Sequence, residues 1–301
     1  CNMVKFHSLI KVSVMITLLS SQLAYSKGAK SKEIKTAYPK SYLNGKFTSW
    51  GIDPKYKKSS INLFKSWEKF KKNKDIVVAV VDTGIQYDHP FLKENIVGPK
   101  GKGSASKTSF GVDYSNKKKF STAPNDEHGH GTHVAGIIKS IFPDVKILAL
   151  KYYNPKASGA ENLKATIKAL RYAVDQNVDI INYSGGGPEA SQEEKKILLE
   201  AEKKGILIIA AAGNEKSNID QKSNFYFPAS YGLSNIITVG AHDEYNKVIA
   251  SSNYGTKSVD IAAPGYRIRS AFPKNAASFM TGTSQATAFV TGVAALVKSN
   301  F

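Results

Sequence analysis

The strongest constraint on the fold is an alternation of short apolar runs, rich in β-branched residues, with segments of helical periodicity. The run at 76–81 contains no polar residue, which is typical of a strand buried on both faces of a parallel sheet. Comparable runs follow at 146–150, 178–183 and 206–210. Strands that alternate with helices in this way form parallel sheets through right-handed crossovers. The sequence therefore predicts an α/β fold, with a doubly wound, mostly parallel sheet flanked by helices in three layers.

Two helices between these strands are indicated by capping boxes, in which a serine is followed three residues later by a glutamate. Ser158 and Glu161 open the first helix, and Ser191 and Glu194 open a second that is expected to end near residue 204. The first helix has one apolar face, formed by Leu163, Ile167, Leu170 and Val174.

Composition limits the classes of protein that this alternation can form. The chain has 301 residues, of which 42% are hydrophobic, so it can bury a sizeable core and is neither disordered nor fibrous. The single cysteine, Cys1, excludes an intramolecular disulfide framework and a cysteine-cluster zinc or iron site. At this length one large domain or two smaller domains are possible, and neither a repeat nor a long low-complexity linker divides the chain.

Positive charge is concentrated near the N-terminus. The net charge is +18, and residues 27–75 hold fourteen lysines against four acidic residues. Such a segment can be a nucleic-acid-binding arm or a solvated lysine-rich stretch. Its lysines are not interleaved with arginines, and no nucleic-acid-binding motif accompanies them. This pattern favours a solvated segment and no nucleic-acid partner.

Residues 1–26 are typical of an export signal. Two lysines precede an apolar stretch at 12–19, and small residues at 24–26 suit cleavage before Lys27. The apolar stretch is too short and too interrupted to span a bilayer. We therefore expect export to a periplasm or to the medium, without stable membrane insertion; an N-terminal core strand is the alternative for this stretch.

Function in a doubly wound sheet gathers at the carboxyl ends of the strands, and two motifs lie there. Asp82 begins Asp-Thr-Gly-Ile directly after the first strand, where a carboxylate can orient a histidine or simply cap a turn. Asn214 ends Ala-Ala-Ala-Gly-Asn after a later strand. Its side-chain amide can donate to a developing oxyanion or cap a turn.

A histidine-rich motif lies where another helix is expected to begin. Residues 128–136 read His-Gly-His-Gly-Thr-His-Val-Ala-Gly and follow Asp126 and Glu127. Only His130 and His133 are one helical turn apart, and the helical glutamate of a His-Glu-x-x-His zinc site is missing between them. The spacing therefore favours one reactive histidine over a metal site.

Ser284 lies in Gly-Thr-Ser-Gln-Ala-Thr-Ala at the start of an apolar helix. A serine there gains from the helix dipole when its oxygen, or the oxyanion that it creates, becomes negative; an ordinary N-cap serine is the alternative. Together with Asp82, His130 and Asn214, it resembles the motif set of the subtilisin-like serine proteases, the subtilase or peptidase S8 family, in Asp…His…Ser order. The resemblance extends over about residues 50–300.

The resemblance implies a role for each of these residues. Asp82 would orient His130, His130 would act as the general base, and Ser284 would be the nucleophile. Asn214 would donate to the oxyanion. The chain is thus expected to be a secreted, monomeric serine endopeptidase that acts on polypeptides through an acyl-enzyme and needs no cofactor.

The resemblance also implies where a peptide binds. An extended peptide would add by β-augmentation to the edge formed by Ser184, Gly185 and Gly186. The pocket for the side chain before the cleaved bond would be lined by Ala211, Ala212 and Gly213. Tyr226 lies near the expected floor of this pocket and would shorten it.

Departures from the family pattern remove no catalytic atom. The family's methionine, serine, proline and histidine near the nucleophile are replaced by Gln285, Thr287, Ala288 and Phe289. The segment 137–146 looks shorter than in relatives that bind calcium there, so no metal site is expected. The expected organisation is a signal peptide at 1–26, a short basic segment at 27–49, and a peptidase domain at 50–301 that is truncated at its C-terminus.

Two alternatives belong to other classes of protein. A catalytically inactive, peptide-binding relative would normally have lost a member of the triad. A dinucleotide-binding oxidoreductase is the remote alternative, because residues 185–190 fit Gly-x-Gly-x-x-Ala, but it leaves the Asp82, His130 and Ser284 motifs unexplained. An α/β-hydrolase esterase does not fit, because the serine motif lacks Gly-x-Ser-x-Gly.

Overall fold

A seven-stranded parallel sheet forms the centre of the fold. The computed structural model describes residue 38 and residues 45–98, 109–116 and 121–301. The strands are β1 (Val77–Asp82), β2 (Gly111–Asp113), β3 (Lys146–Lys151), β4 (Ile180–Tyr183), β5 (Leu207–Ala211), β6 (Ile236–His242) and β7 (Ile261–Pro264). Their order is β2-β3-β1-β4-β5-β6-β7. The prediction of a doubly wound, mostly parallel sheet is confirmed.

Helices cover both faces of this sheet. They are α1 (Leu63–Lys69), α2 (His130–Ile141), α3 (Gly159–Asp175), α4 (Gln192–Lys203) and α5 (Thr283–Asn300). Alternate residues of β1 belong to two different cores, because successive side chains of a strand point to opposite faces. Val78 and Val80 pack with α2 and α5, whereas Ala79 and Val81 pack with α3 and α4. This arrangement gives the three predicted layers.

An antiparallel hairpin, β8 (Ile268–Phe272) and β9 (Ala276–Met280), joins the last sheet strand to α5. His133 of α2 ties this hairpin to the core. Its Nε2 donates to the carbonyl of Ile268 at 2.9 Å and to that of Ser278 at 3.2 Å. Burial, together with the neighbouring His130, lowers the pKa of His133 to about 4. His133 is therefore a neutral structural histidine at neutral pH.

The capping box at Ser158 and Glu161 is present in full, but the second predicted capping box is only half formed. The Ser191 hydroxyl accepts from the Glu194 backbone N–H, as expected. The Glu194 carboxylate, however, accepts from the hydroxyls of Tyr183 and Tyr231, each at 2.8 Å. The Ser191 N–H donates to Tyr231 instead. The Glu194 side chain is therefore buried and hydrogen-bonded to two tyrosines, and it does not cap the helix.

The effect of Glu194→Gln on the free energy of unfolding is expected to depend on pH. Relative to wild type, the variant should be more stable at neutral pH than it is at acid pH. Burial raises the pKa of Glu194 although both tyrosine hydroxyls donate to it, so at a pH between the unfolded and folded pKa values the folded state binds a proton that the unfolded chain has lost. The contribution of Glu194 to wild-type stability therefore decreases as the pH rises above the ordinary glutamate pKa toward the raised value. Glutamine removes this slope and can still accept from Tyr183.

Urea denaturation of both proteins at pH 5 and pH 8 measures the effect. The exposed neighbour Glu193 provides the control, because Glu193→Gln should leave the wild-type pH dependence in place. A Glu194→Gln protein whose stability changes between pH 5 and pH 8 by the same amount as that of wild type would contradict the assignment.

Part of the segment that precedes residue 50 packs against the core of this fold. The Tyr38 ring lies 5.1 Å from the Trp67 ring, and the Phe47 ring lies 5.1 Å from the His89 ring. Apart from residues 38 and 45–49, the predicted basic segment 27–49 lies outside the described residues, as does the predicted export signal at 1–26. In the part of the chain that the structure describes, no helix is both long and apolar enough to cross a membrane.

Candidate active site

The sheet brings Asp82 and Ser184 together at its carboxyl edge. β1 and β4 are neighbours, with Val81 opposite Tyr183, so the next residue of each strand lies at the same point. Here the winding direction of the sheet reverses, and such a switch point opens a crevice for ligands. Ser284, the second residue of α5, reaches this edge, because its hydroxyl donates to the Ser184 carbonyl at 2.9 Å.

His130 is the first residue of α2 and pairs with Asp82. Its Nδ1 lies 2.7 Å from Oδ1 of Asp82, whose side chain is 3% exposed. Because the carboxylate only accepts, this bond places the imidazole proton on Nδ1 and leaves Nε2 able to accept a proton. The His130 side chain is 22% exposed, so it can be reached from the crevice.

The pKa of His130 reflects two opposing effects. Burial disfavours the imidazolium, but the charge and hydrogen bond of Asp82, with the more distant charge of Asp126, outweigh it and raise the pKa. The site therefore stabilises a protonated His130, which is the state that a general base reaches after it takes a proton.

Asp126 holds the loop that precedes His130, a role that the sequence analysis did not find. This carboxylate is 2% exposed and accepts five hydrogen bonds. The donors are the Thr83 hydroxyl, the backbone N–H groups of His128, Gly129 and Thr132, and the Thr132 hydroxyl. The sequence signal was an aspartate shortly before a helix start, where carboxylates satisfy free N–H groups.

The side chains of Glu127 and His128, in and beside the histidine-rich motif, contact different residues and do not converge on one site. Glu127 is exposed and lies 3.8 Å from the Lys151 amine, and His128 is exposed beside the Tyr153 ring. Among the described residues, no group of three or more histidine, cysteine, aspartate or glutamate side chains is arranged to hold a metal ion.

Asn214 lies at the amino end of α5, beside Ser284. Its Oδ1 accepts from the Thr283 backbone N–H at 2.9 Å and from the Thr283 hydroxyl at 3.3 Å. With the oxygen held in this way, the side-chain NH₂ is the group that remains to donate. The first N–H groups of α5 also lack acceptors within their helix, so this corner can supply several donors to an anion.

The segment after β4 remains irregular rather than turning directly into a helix. Gly187 pairs with Phe227 through two backbone hydrogen bonds of 3.0 and 2.8 Å, and α4 begins only at Gln192. A dinucleotide-binding loop requires a helix that opens at the glycines, so this geometry does not favour that alternative. The predicted edge of Ser184, Gly185 and Gly186 lies beside the site.

The Ser284 hydroxyl is oriented toward Ser184 rather than toward His130. Within the described residues no hydrogen bond joins Ser284 to His130, and the hydroxyl must rotate to give its proton to Nε2. Such bonds are often formed only when substrate is bound. The site thus brings a carboxylate, a histidine, a serine and an amide donor to one corner of the sheet.

Comparison with known proteins shows the family to which the chain is related. Residues 73–301 match the subtilase family. The chain is 36% identical over 242 residues to the major intracellular serine protease of Bacillus subtilis (strain 168), a match that covers 77% of this chain and 71% of that protein. It is 35% identical over 244 residues to the thermophilic serine proteinase of Bacillus sp. (strain AK1), which covers 78% of this chain and 55% of that protein.

A solved structure shows the same fold. The crystal structure of a cold adapted subtilisin-like serine proteinase matches with a TM-score of 0.62 at 27% sequence identity, and the match covers 75% of this chain and 76% of that chain. The class of protein that these findings define is a serine protease, a hydrolase. The chain belongs to the subtilase family, and the resemblance drawn from the four motifs is confirmed.

Proposed function

We propose that this protein is a serine endopeptidase in which Ser284 is the nucleophile, His130 the general base and Asp82 the residue that orients His130. The observation that supports this most is the 2.7 Å contact between Asp82 and His130, at the sheet edge that the amino end of α5 also reaches. The family gives the reaction class, and the contacts of this chain support the roles that we propose for these residues.

The chemistry follows from the protonation states. A serine hydroxyl is a weak nucleophile until a base removes its proton, and Nε2 of His130 is the free acceptor. As Ser284 attacks the carbonyl, His130 becomes an imidazolium that Asp82 stabilises, and it then passes the proton to the leaving amine. Water hydrolyses the resulting acyl-enzyme by the reverse transfer.

Asn214 donates to the oxyanion in this proposal, together with the backbone N–H of Ser284. We expect Asn214→Ala to lower kcat by about 100- to 1000-fold with little change in KM, because the donor acts on charge that develops only in the transition state. Steady-state kinetics on a peptide substrate measures the change.

Asn214→Asp is the matched comparison for this prediction. Aspartate keeps an acceptor for the Thr283 N–H, so it preserves the start of α5, but it places negative charge where a donor is needed. It should lower kcat at least as much as alanine does. Wild-type kcat in both variants would remove Asn214 from the catalytic machinery.

The expected substrate is an extended polypeptide. Ser184, Gly185 and Gly186 follow the inner strand β4 at the carboxyl ends of the strands, where main-chain groups that have left the sheet can pair with a peptide. Ala211 ends the neighbouring strand β5, and Ala212 and Gly213 follow it. A peptide bound along the first segment would direct the side chain before the cleaved bond toward the second.

We also propose that the protein is exported, with a signal peptide at 1–26, a basic segment at 27–49 and the peptidase domain from 50 onward. The support is the sequence pattern alone, and one relative is named an intracellular protease. N-terminal sequencing of the protein recovered from periplasm and medium should find a chain that begins at Lys27. Recovery from the cytoplasm with residues 1–26 intact would refute the proposal of export.

Labelling with a fluorophosphonate tests the proposed activity directly. The reagent modifies only an activated serine, so we expect a single adduct on Ser284, located by mass spectrometry, and none in His130→Ala. Absence of an adduct on folded wild-type protein would refute the proposal and leave a peptide-binding relative that has lost activity.

A further inference from the structure

The space between the two predicted substrate-binding segments contains a tyrosine ring of the chain itself. A Cβ atom on Gly186 would lie 2.4 Å from Cε1 of Tyr226, and a Cβ atom on Gly213 would lie 3.0 Å from Cε2. The two edges of one ring therefore contact the two segments. Gly186 and Gly213 leave a slot one ring wide, and Tyr226 occupies it.

Hydrogen bonds hold the backbone of Tyr226 beside this slot. Its N–H donates to the Ser230 hydroxyl at 3.0 Å, and its carbonyl accepts from the Ser230 N–H at 2.8 Å. The next residue, Phe227, is paired with Gly187 through two backbone bonds. Because the backbone is held at Tyr226 and at Phe227, the ring can leave the slot only by a change of rotamer. Such a change would give up the packing of the ring.

The inner side of the ring packs against a small buried cluster. This cluster consists of Ala212, Ile219 and Ala229, and Tyr226 is packed on it. Beyond Gly213 lies the Glu215 carboxylate, which accepts from the Asn253 amide at 2.6 Å. Burial and the Glu215 charge both raise the pKa of Tyr226, so its hydroxyl is neutral over the working range of a histidine base.

We propose that Tyr226 fills the pocket for the side chain that precedes the cleaved bond, and thereby restricts cleavage to sites after glycine, alanine or serine. This inference rests on the proposed function and adds its substrate class. Glycine has no side-chain heavy atom, alanine has one and serine has two, and side chains of this size fit above the ring. Leucine or phenylalanine needs the volume that the ring holds, and moving the ring would give up its contacts with both glycines and with Ala212.

A peptide series that differs only in the residue before the cleaved bond tests the inference on the wild-type protein. We expect kcat/KM for alanine to exceed that for phenylalanine or leucine by at least about tenfold, the lower end of the discrimination that a methylene-sized difference gives. Cleavage sites in denatured casein, read by mass spectrometry, should show the same preference. Equal cleavage after alanine and phenylalanine would overturn the inference.

Two variants separate the ring from the rest of the site. Tyr226→Gly should raise kcat/KM for phenylalanine above that for alanine, because it empties the slot. Tyr226→Phe keeps the ring and should keep the preference for small residues, which makes it the matched control. A Tyr226→Gly protein that folds by circular dichroism and still discriminates against phenylalanine would also overturn the inference.

Fluorophosphonate labelling distinguishes failure of this inference from failure of the proposed function. The reagent carries no side chain that must enter the slot, so Ser284 should be labelled whether or not Tyr226 limits the pocket. Labelled protein that cleaves without regard to side-chain size refutes the role of Tyr226 alone. Unlabelled, folded protein refutes the proposed activity, and the specificity inference with it.

Discussion

Replacing Ser284 with alanine is expected to lower kcat on a peptide substrate by about 10⁶-fold, the size of the loss found for the equivalent change in subtilisin. The reason is that the hydroxyl forms the covalent bond to the acyl group, and no other group at this corner can replace it. The Ser284 hydroxyl donates its one proton to the Ser184 carbonyl, so its removal costs a single hydrogen bond and should leave the fold intact. Thermal denaturation checks that expectation.

The effects of Ser284→Ala and His130→Ala should not add. The base has no proton to take once the serine is absent, so the double variant should be about as slow as either single variant. Any remaining hydrolysis above the uncatalysed rate would come from the oxyanion donors and from substrate binding. Single-turnover assays at high enzyme concentration measure these low rates.

An exposed serine provides the control for this series. Ser223 lies in a 3₁₀ turn and is exposed, so Ser223→Ala should retain wild-type activity. A Ser284→Ala protein with more than about one thousandth of wild-type kcat would contradict the assignment of the nucleophile, since the loss expected for this group is about a thousand times larger.

Much of the sheet could be predicted because several of its strands are short apolar runs that are visible in the local sequence. Residues of β1 are buried on both faces, and a strand in that position is expected to be almost entirely apolar, as β1 is up to Asp82. The later strands carry a weaker signal. β7 has two exposed and two buried residues, and the hairpin β8–β9 depends on distant contacts such as the bond from His133 to Ile268. No local pattern in the sequence encodes such a contact.

The half-formed cap at Glu194 shows the same limit. The spacing of Ser191 and Glu194 is that of a capping box, and the serine does cap the helix. Tyr231 comes from a segment 37 residues away and competes for the carboxylate. Tertiary contacts therefore decide which of two satisfactory hydrogen-bond arrangements is formed.

At the site, the sequence motifs contain the residues to which we assign catalytic roles, but they do not reveal Asp126, which holds the loop before His130. Asp82 and His130 lie in short motifs, and the structure joins them. In the sequence, Asp126 is notable only for its place beside a histidine-rich motif that could suggest a metal site. In the structure it accepts five hydrogen bonds from Thr83 and from the loop and helix around His130. Its role depends on how the chain folds back on itself, from Thr83 to Thr132, which spacing alone does not reveal.

Asp82→Asn is expected to lower kcat by about 10⁴-fold with little change in the fold. The asparagine side chain has nearly the same shape, so it can still lie beside His130. Its NH₂ group, however, would face Nδ1 as a donor and favour the tautomer with the proton on Nε2. In that tautomer His130 cannot accept the proton of Ser284. Steady-state kinetics measures the loss, and Asp88→Asn, an exposed change of the same charge, is the control.

The pH profile of the same variant distinguishes this role from a merely structural one. Activity requires neutral His130, so wild-type kcat/KM should fall as the pH decreases through a midpoint above the ordinary histidine pKa of 6.5, because Asp82 raises that pKa despite burial. Asp82→Asn removes the negative charge that stabilises the His130 imidazolium, whereas burial still disfavours it. The pKa of His130 should therefore decrease, and the midpoint of the residual activity should move to lower pH. Asp88→Asn should keep the wild-type midpoint. An Asp82→Asn protein whose midpoint stays with wild type would show that Asp82 does not stabilise the imidazolium, whatever the loss in rate.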